Sequence, residues 1–138
     1  MKNVKFVEGD STRLNEVKEL KEDSLDLVFN IESSHCYNDL EGFFSGVNRL
    51  LKPDGTFVYV DWRFSEMIPD MEEALKRNFT IEKYEDISEN VISALKASSE
   101  YKYKLVASRH VPLYCRKIIV DFLGVENSTI HNRLRDKQ

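Results

Sequence analysis

The five glycines, at positions 9, 42, 46, 55 and 124, form no Gly-x-Gly turn between a strand and a helix. A dinucleotide-cradling loop of that type is therefore absent from these residues, which ranks a nicotinamide-dependent enzyme last among the possible functions. Cysteine is equally scarce. Cys36 and Cys115 are too few for a disulfide framework and too isolated for a metal cluster, so reduced thiols and no metal site are expected. The longest apolar stretches are only strand-sized, so no transmembrane segment is expected. The start Met1-Lys2-Asn3-Val4 lacks the apolar core of a signal peptide, and a cytoplasmic location follows as the expectation. Charge of one sign is never concentrated: the net charge is −4, and no basic block is long enough to grip a phosphate backbone. No nucleic acid is expected as a direct partner.

What is present describes a folded chain. Hydrophobic residues make up 41%, charged residues 32% and aromatic residues 11% of 138 residues, which excludes disorder as the main state and suits one domain with one core. No repeat, low-complexity tract or linker marks a domain boundary. The sequons at Asn78-Phe79-Thr80 and Asn127-Ser128-Thr129 read as chance, since nothing else points to secretion.

The order of elements is legible in the first half. Val4-Lys5-Phe6-Val7-Glu8 predicts a strand ending at the turn Gly9-Asp10-Ser11, and Leu14, Val17 and Leu20 mark one face of a short helix. Residues 25–31, with Leu27, Val28, Phe29 and Ile31 nearly continuous, predict a central strand covered on both faces. Leu40, Phe43, Phe44, Val47, Leu50 and Leu51 follow helical spacing, and Lys52-Pro53-Asp54-Gly55 closes that helix before a strand over 56–61. Strands separated by helices with short connections imply a parallel sheet of the doubly wound α/β class. Beyond it the sequence predicts a helix over 65–77, a strand over 79–84 and a helix opened by the capping box Asp86-Ile87-Ser88-Glu89. The stretch Tyr101-Lys102-Tyr103-Lys104 has no clear periodicity. A helix from Pro112 through Phe122 and a last one from Ser128 to the chain end complete the reading.

Ligands of open α/β sheets bind beyond the carboxyl ends of the strands. There the sequence puts Asp10, then Asn30-Ile31-Glu32-Ser33-Ser34-His35, then Asp61-Trp62-Arg63: carboxylates, an imidazole, an indole and a guanidinium on one rim.

These same residues resemble the class I S-adenosylmethionine-dependent methyltransferases. Val7-Glu8-Gly9-Asp10-Ser11 is similar to that family's third-strand motif, Ser24-Leu25-Asp26-Leu27-Val28 to its fourth-strand motif, and Arg49 through Phe57 to the junction into its fifth strand. The segment from Asn30 to Asp39 resembles the members that act on lipid, fatty-acid, sterol or polyketide acceptors, including the phthiotriol dimycocerosate type. The resemblance implies a Rossmann-like fold, incomplete at its N-terminus because the first two strands and their glycine-rich turn are missing, so that residues 1–138 form one partial domain. It implies S-adenosylmethionine as cofactor, contacted by Gly9, Asp10, Ser11, Asn30 and Ile31, with His35 and Glu32 as catalytic groups. Methyl transfer to oxygen or carbon of a small or lipid-like acceptor would follow. Asp10 would accept from the adenine amino group, and His35 or Glu32 would take a proton or stabilise positive charge.

Plainer roles stand beside these. Asp10 equally caps the following turn, and Glu32 and His35 equally hold loop backbone. Tyr37 and Trp62 read as packing, Asp26 as structural, Arg63 as a solvated strand end or a contact for a substrate carboxylate, and Cys36 lacks the partners of a nucleophile. The alternative function is a non-catalytic module that pairs with another chain, self-association through unpaired strand edges included.

Overall fold

A computed structural model of the protein describes residues 3–107 and 111–135. Contacts divide it into two compact units, Met1–Glu82 and Lys83–Gln138, although no change in composition marks the boundary.

The first unit is built on a parallel strand–helix–strand motif. Strand β1 (Leu25–Ile31) pairs with β2 (Leu51–Val60), and α1 (Leu40–Leu50) is the crossover between them. Asp39 starts α1 by accepting a hydrogen bond from the Gly42 N–H at 2.8 Å, which satisfies one of the donors a helix leaves open at its first turn. The apolar stripe of α1 then buries Phe43, Phe44, Val47 and Leu50. Phe44, with no exposed surface, meets the rings of Phe43, Phe57, Tyr59 and Phe79. Helix α2 (Ile68–Asn78) closes the same side through Met71 and Ala74. Its first turn carries Pro69, where a missing N–H costs no helical bond.

The parallel register runs Leu27↔Thr56 through Ile31↔Val60. One further pair, Leu25↔Leu51, lies beyond an irregularity that holds Pro53, Asp54 and Gly55. The strand expected to begin at Thr56 therefore begins at Leu51. The predicted turn survives as a bulge, because Leu51 reaches β1 before the chain kinks.

Four expectations for this unit need correction. Residues 4–8 form no strand: no ladder partner stands beside them among the described residues, and Phe6 is 93% exposed. The helix marked by Leu14, Val17 and Leu20 is only a 3-10 segment, Ser11–Glu16, interrupted at Arg13 by a non-helical ψ of 44°. Strand β1 is not covered on both faces: Leu27, Phe29 and Ile31 are exposed, and among the described residues β2 is its one ladder partner. Residues 79–84 form no strand either; Phe79 is pinned into the aromatic core while 80–84 are exposed. What remains is a mixed helix and strand fold with a small parallel sheet, which fits a Rossmann-like architecture.

The second unit is helical: α3 (Ser88–Ala107), α4 (Leu113–Phe122) and α5 (Thr129–Arg135). Asp86 accepts from the Ser88 N–H at 2.9 Å, as the capping signal predicts. Tyr101-Lys102-Tyr103-Lys104, unassigned by sequence, lies inside α3. Helix α4 ends at Gly124, whose φ of 58° lets the N–H groups of Gly124 and Val125 turn back onto the carbonyls of Asp121 and Val120. Helix α5 agrees with the expected start near Ser128, and the expected run to the chain end falls outside the described residues beyond Arg135. Among the described residues no helix is long and apolar enough to cross a membrane.

Candidate functional site at the strand ends

Because β1 and β2 run parallel, the residues that follow them emerge at the same edge. The Glu32 N–H donates to the Val60 carbonyl at 2.8 Å as the last bond of the ladder, and Glu32 itself adopts φ 49°, in the left-handed region. This turn directs Ser34–Cys36, a single 3-10 turn, back across the end of β2. Ser34 and His35 thereby reach Asp61, 27 and 26 positions away in sequence.

Asp61 is the centre of the arrangement. Its side chain has no exposed surface and accepts four hydrogen bonds: Ser34 Oγ at 2.6 Å and the His35 N–H at 3.0 Å on Oδ2, His35 Nδ1 at 2.7 Å and the Trp62 N–H at 2.9 Å on Oδ1. Burial alone would raise its carboxyl pKa. The bonds from Ser34, His35 and Trp62, with the nearby imidazole charge, outweigh burial and hold it below the ordinary carboxylate value. Arg63 donates to Ser34 Oγ at 2.7 Å and to Tyr59 Oη at 3.3 Å, and lies 4.0 Å from Asp61 Oδ2. Its side chain is only 6% exposed, so the solvated strand-end role expected for Arg63 is overturned. The indole of Trp62 lies 4.7 Å from the His35 ring and meets Phe64 edge-on, which is packing, as expected.

The candidate residues are not all gathered here. His35 is at the rim, with 23% of its side chain exposed. Glu32 is exposed, and its carboxylate has no hydrogen bond or ion pair among the described residues. Asn30 is buried; its Nδ2 donates to Ser33 Oγ at 2.8 Å while Oδ1, also buried, has no partner. Ile31 projects a largely exposed side chain. Gly9 and Asp10 belong to a different place, a concavity of about 340 Å³ shared with Arg13, Glu16 and Val17. There Asp10 Oδ1 accepts from both the N–H and the hydroxyl of Thr12, so Asp10 caps the segment that begins at Ser11. These bonds lower its pKa. Asp26, exposed, pairs with Lys52 at 2.6 Å.

The residues present fit part of an S-adenosylmethionine donor. The unpartnered, buried Oδ1 of Asn30 is an acceptor suited to an ammonium group, and Asp10 keeps Oδ2 free of its capping bonds for an amino group.

Comparison with known proteins gives the arrangement its context. The profile of a family described as "Methyltransferase domain" matches residues 1–110. A phthiotriol/phenolphthiotriol dimycocerosates methyltransferase of Mycobacterium leprae is 31% identical over 135 residues, 95% of this chain and 47% of that protein. The protein of the same name from Mycobacterium tuberculosis is 31% identical over 130 residues, 94% of this chain and 46% of its own length. A fatty-acid O-methyltransferase of Mycolicibacterium smegmatis is 39% identical over 72 residues, 52% of this chain and 25% of that protein. The chain thus spans about half the length of the first two relatives. No solved structure matches. With a profile match over most of its length, on a parallel strand–helix–strand unit whose polar rim follows both strands, the chain belongs to the methyltransferase domain family.

Proposed function

We propose that the chain carries the acceptor-facing part of an S-adenosylmethionine-dependent methyltransferase that methylates a hydroxyl oxygen on a lipid-like acceptor. The carrying observation is the 2.7 Å bond between His35 Nδ1 and buried Asp61 at the parallel-strand rim. The carboxylate can only accept, so Nδ1 carries the proton and Nε2 is the basic nitrogen of the neutral ring.

The donor, when bound, supplies a methyl group on a positively charged sulfur. Asp10 would accept from its amino group at the adenine end, with Gly9 and Ser11 lining the same turn, and Asn30 and Ile31 would hold its methionine end. Glu32, exposed and unpaired, offsets the donor's positive charge. His35 Nε2 would take the proton of the acceptor hydroxyl as that oxygen is methylated. The remaining requirement is alignment, which the rim provides by holding His35 on two sides, through Asp61 and Trp62. The names of the relatives, a dimycocerosates and a fatty-acid methyltransferase, support the lipid-like acceptor.

The test is transfer of labelled methyl from S-adenosylmethionine to long-chain alcohols, phenolic lipids and fatty acids by the protein. Methylation of the hydroxyl acceptors, reduced by about 10² to 10⁴ in His35→Gln, is the expected result. Undiminished transfer by His35→Gln would remove the imidazole from the reaction. A second reading, a non-catalytic module completed by another chain, draws on the uncovered face of β1 at Leu27, Phe29 and Ile31. It predicts no transfer to any acceptor.

A further inference from the structure

The bonds around Asp61 can be assigned a direction, and that direction gives this rim carboxylate a role the sequence did not assign. Arg63 can only donate, and an ionised Asp61 can only accept. Ser34 Oγ has one hydrogen and two lone pairs, and three partners lie within reach: Arg63 at 2.7 Å, Tyr59 at 2.7 Å and Asp61 at 2.6 Å. Its hydrogen therefore goes to Asp61, and its lone pairs receive Arg63 and the Tyr59 hydroxyl. Both Asp61 oxygens also face backbone N–H groups, those of His35 and Trp62. Every hydrogen bond that reaches the carboxylate is thus a donor to it, and the buried Arg63 guanidinium supplies the balancing charge.

We propose that Asp61, bonded by Ser34 and 4.0 Å from the Arg63 guanidinium, is the positioning residue of the site: it locks His35 into the Nδ1–H tautomer and the ring orientation that present Nε2 to the acceptor hydroxyl. The inference rests on the reading of His35 as proton acceptor and adds the group on which its competence depends. An amide in place of Asp61 must turn its NH₂ toward a donor on either edge. On the Oδ2 edge that donor is the His35 N–H, and on the Oδ1 edge it is the Trp62 N–H. The amide also leaves Arg63 without a nearby negative charge. On the Oδ1 edge it favours the opposite His35 tautomer, with Nδ1 accepting and Nε2 protonated. Removing the Ser34 hydroxyl is milder, taking one of four donors from the carboxylate and leaving Arg63 and Tyr59 facing a methyl group.

Two measurements test this, one of them independent of activity. The first is the ¹⁵N shift pair of the His35 imidazole, followed by NMR in the unsubstituted chain in alkaline buffer and assigned by its disappearance in His35→Gln. A pyrrole-type Nδ1 and a pyridine-type Nε2 are expected; the reverse pattern, or fast exchange between the two, overturns the proposal without any variant having to fold. The second is steady-state kinetics of the natural protein with the acceptor identified above. Asp61→Asn is expected to lower kcat by about 10³ or more, as loss of the tautomer-setting carboxylate does in other His–Asp pairs. Ser34→Ala is expected to lower kcat by about tenfold with KM nearly unchanged and with a displaced pH–rate profile. Asp26→Asn, at the far end of β1, should match the unsubstituted protein. Should Asp61→Asn not fold, Ser34→Ala decides the kinetic arm, and an unchanged kcat and pH profile there refutes the positioning role. A correct tautomer in a protein with no transferase activity would refute the methyl-transfer reading alone. Transfer with the wrong tautomer would refute this inference alone.

Discussion

Truncating Phe44 to alanine tests how the rim is supported from below. Phe44 has no exposed surface, and its ring centroid lies 5.4 Å from Tyr59, 5.5 Å from Phe43, 6.2 Å from Phe57 and 6.3 Å from Phe79. Full burial of such a side chain stabilises by roughly 1.5–3 kcal/mol. Four rings anchored on α1, on β2 and just after α2 cannot all collapse into the space left behind, so a cavity penalty adds to the transfer loss and brings the total to about 3–5 kcal/mol. That is a large share of the 5–15 kcal/mol by which domains are ordinarily stable. The single tryptophan, Trp62, stands in the same unit beside His35, so its fluorescence in a urea titration reports on the relevant fold. The midpoint should fall while the slope stays constant. Phe6→Ala, at a residue 93% exposed, should change stability by no more than about 0.5 kcal/mol. A loss below about 1 kcal/mol in Phe44→Ala would refute the claim that this ring is the enclosed centre of the core. The effect should also reach the site, since Tyr59 packs on Phe44 and its hydroxyl bonds Ser34 at 2.7 Å.

Other outcomes follow from the same geometry. Gly42→Ala drives a methyl group into the Asp39 carboxylate that caps α1 and to 3.0 Å from the Thr12 carbonyl, so it should destabilise by about 1–2 kcal/mol in urea titration despite alanine's better helix propensity. A stabilised Gly42→Ala would show that the cap is dispensable. Asp61 has a folded-state pKa below its ordinary 3.8, so its ionised form stabilises the fold; that contribution is complete above the ordinary value and is lost as pH falls through the lower one. Urea midpoints measured downward from about pH 6 should therefore drop in the acid range, and Asp61→Asn should start lower and drop less. Parallel acid limbs in the two proteins would contradict the depressed value.

Much of the first unit was legible because its signals are local. Asp39 and the Phe43, Phe44, Val47, Leu50 stripe specify α1 by themselves, and the apolar run of β1 specifies a strand whatever pairs with it. The misread segments depend on partners. Residues 4–8 have strand-forming side chains but no ladder beside them among the described residues, and the 79–84 run has one residue, Phe79, whose burial decides its course. The site divides in the same way. His35 stood out by residue type and by its place after a strand. Asp61 stood equally far along, but its role depends on the parallel register that ends β1 and β2 together at Ile31↔Val60. Arg63 was read as solvated because sequence shows neither Tyr59 beneath it nor Ser34 folded across from the other strand. The available signal was the strand–helix–strand pattern itself, which sets the residues after one strand beside those after the next.

The left-handed backbone at Glu32 alters how any scan of that loop should be designed. Alanine there deletes the carboxylate and retains a Cβ at φ 49°, whereas glycine deletes the carboxylate and also relaxes the main chain. Comparing the two separates electrostatics from conformation within one residue. Equal activities would assign any deficit to the missing charge. A glycine variant more stable by about 1 kcal/mol, yet poorer in turnover than alanine, would show that the rigid bend after β1 is maintained at a thermodynamic cost to keep Ser34 and His35 over Asp61.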